Sequence, residues 1–331
     1  MKVVLANPPA YFDNTHDHFI NAGSRWSHSF VIPKGVGIPH GHPYPFFLGY
    51  SSALLKRDSD VEVFCVDGSA LCMDVEEFKS RILVIGPDVL VVEIPTICWD
   101  FMMPVLSFLK GELGCKIVVS GFHASALYSS IIVDYPFIDY VLTGEYELSL
   151  LDLVKVLSKH KSPARSIVSS KPLKDLDFLP FPDRDGFPLS KYYNQPVAGT
   201  PCVYMWSSRG CPMNCGFCVE RQVLYGSNCY RLRNPHSVVE EMKFCVDEFG
   251  ASQINFDDMT FSGSHKNVRA ICREIKRVGL DVLWWAMVDV NLDFDTLKMM
   301  KDSGCVNVRF VVESNDPGNL KQPSKLFVQK D

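Results

Sequence analysis

Residues 207–222 read SSRGCPMNCGFCVERQ and place Cys211, Cys215 and Cys218 in a C-x3-C-x2-C spacing. The run before them, CVYMWSS (202–208), is a predicted β-strand that ends where the cysteines begin. In α/β proteins ligands bind at the C-terminal ends of strands, so this strand delivers the cysteines to a chemically useful edge. Three thiolates on one short loop can hold three corners of a four-iron, four-sulfur cluster and leave the fourth iron open to a substrate or cofactor. Ligation by four cysteines leaves no such position. A structural zinc site competes with this reading. It needs a fourth ligand, for which Cys229 or His236 is available. Zinc sites usually pair their ligands as C-x2-C units, and only Cys215 and Cys218 fit that spacing.

The sequence around this loop keeps a strand–helix rhythm. Strands are expected at 202–208, 252–258, 281–290 and 305–313, and helices at 236–249, 265–278 and 293–303. Gly250, Gly279 and Gly304 stand where C-terminal caps belong, and Asp293 and Asp295 suit the positive end of the third helix. The economical reading is a β/α barrel or part of one over 201–331, with room for about four βα units of roughly 30 residues. No further strand pattern is visible in NLKQPSKLFVQKD. This predicts a truncated barrel whose open edge, 305–313, is prone to self-association.

Residues 1–160 alternate in the same way. The runs 2–9, 61–68, 87–96, 115–125 and 137–147 are apolar and β-branched and end in turn residues, with helical patterns at 45–57, 74–84, 99–113 and 148–160. Near-continuous apolar strands need both faces covered, which predicts an α/β fold with a doubly wound, Rossmann-like parallel sheet. The long connection from Tyr11 to His42 holds His16, His18, His28, His40 and His42. In Pro- and Gly-rich sequence without helical register it reads as a cofactor- or substrate-facing lid rather than a metal cage. Residues 161–200, rich in Pro, Ser and Asp, are expected to be a surface linker pinned by Phe178, Leu179 and Phe181.

Composition excludes several classes. The 331 residues carry 33 basic and 38 acidic side chains, a net charge of −5, which is no nucleic-acid footprint. No run approaches the ~18 apolar residues of a spanning helix, and the N-terminus breaks at Pro8 and Pro9 too early for a signal peptide. A cytoplasmic protein is expected. The other nine of the 12 cysteines stand singly in apolar sequence and read as small buried hydrophobes.

Taken together, the cysteine loop with Phe217 just before its last cysteine, RLRNPHSVVEEMKFCVDEFGASQINFDDMTFS (231–262) and GCVNVRFVVES (304–314) resemble the radical S-adenosylmethionine enzymes. The N-terminal half resembles the cobalamin-binding domain often fused to their barrel, with NPP after the first strand, SGFHAS after the fourth and TGEYE after the fifth. The resemblance implies a four-iron cluster on Cys211, Cys215 and Cys218, with adenosylmethionine chelating the open iron. It further implies reductive cleavage to a 5′-deoxyadenosyl radical and methyl transfer, through cobalamin, to an unactivated carbon of a small-molecule substrate. A reductant protein such as flavodoxin or ferredoxin would supply electrons. Implied adenosylmethionine positions are Phe217, Asp257 and Asp258 (amino group), and Glu313 and Ser314 (ribose). Helix capping or a solvated strand end are the competing roles for the acidic residues. Arg231 and Arg233 would meet substrate or cofactor carboxylates, or pair with Glu240 or Glu241. Cobalamin would lie along Thr96, Gly121, His123 and Gly144, with Glu145 and Glu147 weaker candidates. Cobalt ligation by His123 is set aside, because the D-x-H-x-x-G segment that supplies such a histidine elsewhere is missing. Two alternatives stay open: a non-catalytic cobalamin- or cluster-binding remnant, and a radical enzyme that does not use cobalamin.

Overall fold

A computed structural model describes residues 1–12, 18–20, 30–32, 42–159, 163–192, 200–213, 215, 218–226 and 229–310, with 18–20 and 30–32 as backbone only. The packing divides into two units: Met1–Pro172 with Leu179–Asn194, and Leu173–Phe178 with Gln195–Asp331.

In the first unit, β1 (Lys2–Asn7), β4 (Glu62–Asp67), β5 (Val89–Glu93), β6 (Lys116–Ser120), β7 (Tyr140–Thr143) and β8 (Ser166–Ser169) form one sheet in the order β4-β1-β5-β6-β7-β8. Every pairing in it is parallel. The intervening β2 (His18–Ile20) and β3 (Phe30–Ile32) form a separate antiparallel pair. The helices are α1 (Phe46–Asp58), α2 (Val75–Ile85), α3 (Trp99–Leu113), α4 (Phe122–Asp134) and α5 (Glu147–Ser158). Strand alternation explains the double winding. Val4, Ala6, Leu90, Val92, Ile117 and Val119 form one core with Phe78 of α2, Met102 and Leu106 of α3 and Ile131 of α4. The alternate residues Val3, Leu5, Val89, Val91 and Val118 are equally buried, while α1 and α5 pack on one another apart from that core. Strand order reverses between β1 and β5, the switch point at which doubly wound sheets bind ligands.

Three features differ from the sequence reading. The run expected to stay extended through Ser125 ends at Ser120. There Gly121, at φ 100°, turns the chain into α4. Ser166–Ser169, inside the expected linker, adds β8 to the sheet. The rest of that segment is not a surface tether, because Leu176, Leu179, Phe187 and Tyr192 are buried whereas Phe178 is 47% exposed. Polar contacts fix the part from Leu179 onward in the first unit: the Tyr44 hydroxyl donates to the Asp183 carbonyl at 2.8 Å, and the Tyr192 hydroxyl to Asp67 Oδ2 at 2.6 Å.

In the second unit, β9 (Cys202–Met205), β12 (Gln253–Phe256), β13 (Leu283–Met287) and β14 (Cys305–Arg309) form a parallel sheet in the order β14-β13-β12-β9. The helices α6 (Pro235–Phe249), α7 (His265–Val278) and α8 (Phe294–Asp302) follow successive strands. Their apolar residues, Val238, Met242, Val268, Ile271 and Met300, close on Val203, Met205, Ile254, Phe256 and Trp284. Asn234, Ser264 and Asp293 cap the three helices with side-chain acceptors. The opposite parity, Tyr204, Gln253, Asn255 and Trp285, gives the other sheet face a polar and aromatic row. Among the described residues, no helix is long and apolar enough to cross a membrane.

Candidate functional site

The cysteine loop leaves the sheet just beyond β9. Its neck is closed by β10 (Ser208–Arg209) pairing antiparallel with β11 (Arg231–Leu232), Ser208 opposite Leu232 and Arg209 opposite Arg231. Close packing tightens the neck. Gly210 has φ +75° and abuts Cys229, and Gly263 abuts Pro212 and the Tyr230 ring. Cys211, Cys215 and Cys218 are all partly buried. Two hydrogen bonds order their stretch: the Cys218 amide donates to the Cys215 carbonyl at 3.2 Å, and the Gln222 amide to the Cys218 carbonyl at 3.3 Å. A π-helical turn, Glu220–Tyr225, follows.

The donor chemistry fits an iron–sulfur cluster. The Met213 amide points at Cys211 Sγ, 3.4 Å away, the kind of hydrogen bond that stabilises a charged sulfur. Burial pushes the Cys211 thiol up to about 12, and Cys215 and Cys218 add to the push. A cationic core beside Cys211 would favour its thiolate. Among the described residues no three His, Cys, Asp or Glu side chains converge on a single metal ion. The cysteines of a four-iron cluster each hold a different iron, so convergence on one point is not required of them. The two residues available to a zinc reading are otherwise placed: one packs in the neck and the other is ion-paired on a helix. Cys229 is buried against Gly210, and His236 sits on α6 in ion pairs with Glu240 and Glu274.

Asp257 and Asp258 follow β12 but differ in setting. The Asp257 amide extends the ladder to the Met205 carbonyl, and its own carbonyl accepts from the Trp206 indole at 3.0 Å. By alternation Asp257 shares the side of Gln253 and Asn255. Asp258 is 2% exposed, and its carboxylate accepts from the Ser207 amide and from the hydroxyls of Ser207 and Ser208. Burial raises its pKa above the ordinary carboxylate value. Arg233 forms a buried ion pair with Glu241 and donates to the Trp206 carbonyl, whereas Arg231 donates to the carbonyls of Cys229 and Leu173. Both arginines thus hold protein groups at the base of the loop. Phe217, Glu313 and Ser314 lie outside the described residues. So do His16, His28 and His40, while His18 is described by its backbone alone.

In the first unit, Thr96, Gly121 and Gly144 follow β5, β6 and β7 on the C-terminal edge of the sheet, with Thr96 beside the switch point. Thr96 and His123 are brought together, with Nδ1 and Oγ1 3.3 Å apart. The His123 ring is stacked on Trp99, with centroids 4.2 Å apart, and burial lowers its pKa. The Gly144 amide donates to Ser125 Oγ at 3.0 Å. Glu145 and Glu147 are buried, and Glu147 begins α5. Ile97, Phe101, Leu127 and Tyr128, near the starts of the helices after β5 and β6, are 40–47% exposed. Glycines and exposed apolar side chains along one edge suit a large planar ring, and the His123 ring is held against Trp99 and Thr96. Sequence reasoning missed Trp99, Ser207, Ser208, Gly210 and Tyr230. Only the Ser pair directly before the cysteine loop gave a usable signal.

No protein-family profile matches the chain. It is 29% identical over 292 residues to an uncharacterised methyltransferase of Pyrococcus horikoshii, covering 84% of this chain and 62% of that protein. It is 23% identical over 292 residues to an anaerobic magnesium-protoporphyrin IX monomethyl ester cyclase of Rubrivivax gelatinosus, covering 82% and 52%. The chain therefore spans about half to three-fifths of the length of these relatives. The solved radical S-adenosylmethionine methyltransferase TsrM of Kitasatospora setae, with cobalamin and a [4Fe-4S] cluster bound, superposes with a TM-score of 0.69 at 17% identity, over 96% of this chain and 62% of that one. Two independent features, a three-cysteine loop at the end of the first strand of one parallel sheet and a doubly wound sheet preceding it, agree with these likenesses. By sequence the chain is similar to this methyltransferase and this cyclase, and its fold is that of the cobalamin-dependent radical S-adenosylmethionine enzymes TsrM and OxsB.

Proposed function

We propose that the chain is the cobalamin-binding and cluster-binding part of a radical S-adenosylmethionine methyltransferase acting on a small molecule. The observation that carries this reading is the neck-closed loop that presents Cys211, Cys215 and Cys218 with an amide directed at the Cys211 sulfur. When bound, the cluster supplies one electron for adenosylmethionine cleavage and cobalamin relays a methyl group; the protein orients the reactants and excludes water. Asp257 accepts from the adenosylmethionine amino group, because Asp258 is committed to Ser207 and Ser208. Phe217, Glu313 and Ser314 remain proposed adenosylmethionine contacts. Thr96, Gly121 and Gly144 border the cobalamin ring, and His123 forms part of its wall. A flavodoxin- or ferredoxin-type protein delivers the electron.

Anaerobic reconstitution of the full chain with ferrous iron, sulfide and hydroxocobalamin tests this, with dithionite as reductant. The expected result is retained cobalamin absorption together with 5′-deoxyadenosine formed from adenosylmethionine. Cleavage without retained cobalamin would favour a radical enzyme that does not use it. Absence of both would overturn the proposal.

A further inference from the structure

The hydrogen bonds of Asp258 converge on the two residues that launch the cysteine loop. The Ser207 amide lies 3.1 Å from both carboxylate oxygens, and the hydroxyls of Ser207 and Ser208 lie 2.8 and 2.5 Å from Oδ1. These partners are neutral donors, and no cation joins them among the described residues. A buried carboxylate without a countercharge is costly, and a share of that cost is offset when several donors serve the charged form. Such an arrangement holds the donors in return. Here the donors are the first residues of a loop whose sulfurs must be placed accurately.

The same carboxylate stands close along the chain to the first sulfur, since the Ser208 hydroxyl it accepts from is three residues before Cys211. Pro212, next to Cys211, and Tyr230 both press on Gly263, in the turn after β12. Asp258 thus follows a neighbouring strand yet grips the outgoing limb of the loop directly.

We propose that Asp258 is a positioning residue for the iron–sulfur site: it anchors the cysteine loop through Ser207 and Ser208 and sets a fixed negative charge beside the cluster that makes the cluster harder to reduce. The cluster half rests on the function proposed above, and the anchoring half does not. In a low-dielectric setting a nearby anion disfavours an added electron, and net charge and hydrogen bonding are the protein's main controls over cluster potential.

Three measurements on the full chain test it: iron content, the midpoint potential of the reconstituted cluster under dithionite titration, and deuterium uptake of residues 207–213 in the iron-free protein. Asp258→Asn should raise the equilibrium constant for reduction about tenfold, ~59 mV for a one-electron couple. Ser208→Ala keeps the charge. It should leave the potential near the parent's while speeding deuterium uptake at 207–213. An unchanged potential in Asp258→Asn, or an equal shift in Ser208→Ala, overturns the electrostatic role. Unchanged uptake in both variants overturns the anchor. If Asp258→Asn does not fold, uptake in Ser207→Ala/Ser208→Ala decides the anchor and Ser208→Ala alone bears on the potential, where a shift counts against the proposal. A parent chain that takes up no iron sinks the cluster assignment and the electrostatic half with it, while uptake in the iron-free protein still decides the anchor.

Discussion

Gly210 is seated directly on Cys229: a Cβ at Gly210 would stand 2.5 Å from the Cys229 carbonyl oxygen and 2.8 Å from its sulfur, on a backbone at φ +75°. Gly210→Ala therefore meets a clash with backbone as well as left-handed strain, and should cost about 1–3 kcal/mol. Gly226, on the same loop at the same φ, is the control, since a Cβ there would meet nothing within 4 Å. Gly226→Ala should cost about 1–3 kcal/mol through backbone strain alone, because φ 75° with ψ −172° is a conformation essentially only glycine adopts, and Gly210→Ala should exceed it through the added clash. Thermal melts and iron per chain after reconstitution compare them. Equal losses in the two variants would show that the Gly210–Cys229 contact is not what closes the neck.

Replacing Cys211, Cys215 and Cys218 together with Ala should abolish the brown charge-transfer absorption and reduce bound iron from about four per chain to background. Cys229→Ser and His236→Ala should each keep it, since Cys229 packs at the neck and His236 pairs with Glu240 and Glu274. Iron lost in either single variant, with the protein still folded, would return the zinc-type fourth ligand to consideration.

The His123–Trp99 stack makes a spectroscopic prediction. Cob(II)alamin bound to the chain should show no nitrogen superhyperfine splitting from a histidine in its electron paramagnetic resonance spectrum. Splitting that disappears in His123→Ala would identify His123 as the cobalt ligand.

The same burial has a pH consequence. Desolvation holds the folded His123 pKa below its ordinary 6.5, so the folded state favours the neutral ring. The contribution to stability is complete above pH 6.5 and declines as pH falls below it, because the unfolded chain takes up the proton first. Melting temperatures of the parent between about pH 5 and 7 should fall more steeply than those of His123→Gln. Parallel curves would mean the ring is not desolvated in solution.

A groove of about 1010 Å³ runs between α8 and β14, lined by Leu283, Phe294, Leu297, Val306 and Val308 among others. Phe294 is 76% and Val306 44% exposed, and β14 is an edge strand among the described residues. Unpaired strand edges beside apolar surface promote association. The parent should self-associate in light scattering, and Phe294→Lys with Val306→Lys should reduce it. A monodisperse, monomeric parent would remove the premise.

What the sequence made legible follows from which physics is local. A continuous apolar run such as KVVLAN and an alternating one such as QINF state their strands directly, and Ser264, Asp293 and Gly279 mark helix ends by their own chemistry. α4 escapes a sequence reading because FHASALYSSIIVD has small and apolar residues around much of its circumference, so its helical period is faint, and the turn depends on Gly121 adopting φ 100°. β8 escapes it because SIVS is a four-residue strand in polar surroundings. In the site, three cysteines in eight positions announced themselves. The commitment of Asp258 to Ser207 and Ser208 could not, because it joins residues about 50 positions apart through the register of β9 against β12.

The clasp formed by Tyr192 on Asp67 and Asp183 on Ser52 and Lys56 bears on biosynthesis. β1 through β7 leave the ribosome first, but the carboxylate at the end of β4 stays without its tyrosine until residue 192 has emerged. Stretches destined for the second unit, Leu173–Phe178, are made before that moment. The nascent chain must therefore hold a half-finished first unit while it begins the second, and a stop placed at residue 160 would leave that half-finished state permanent.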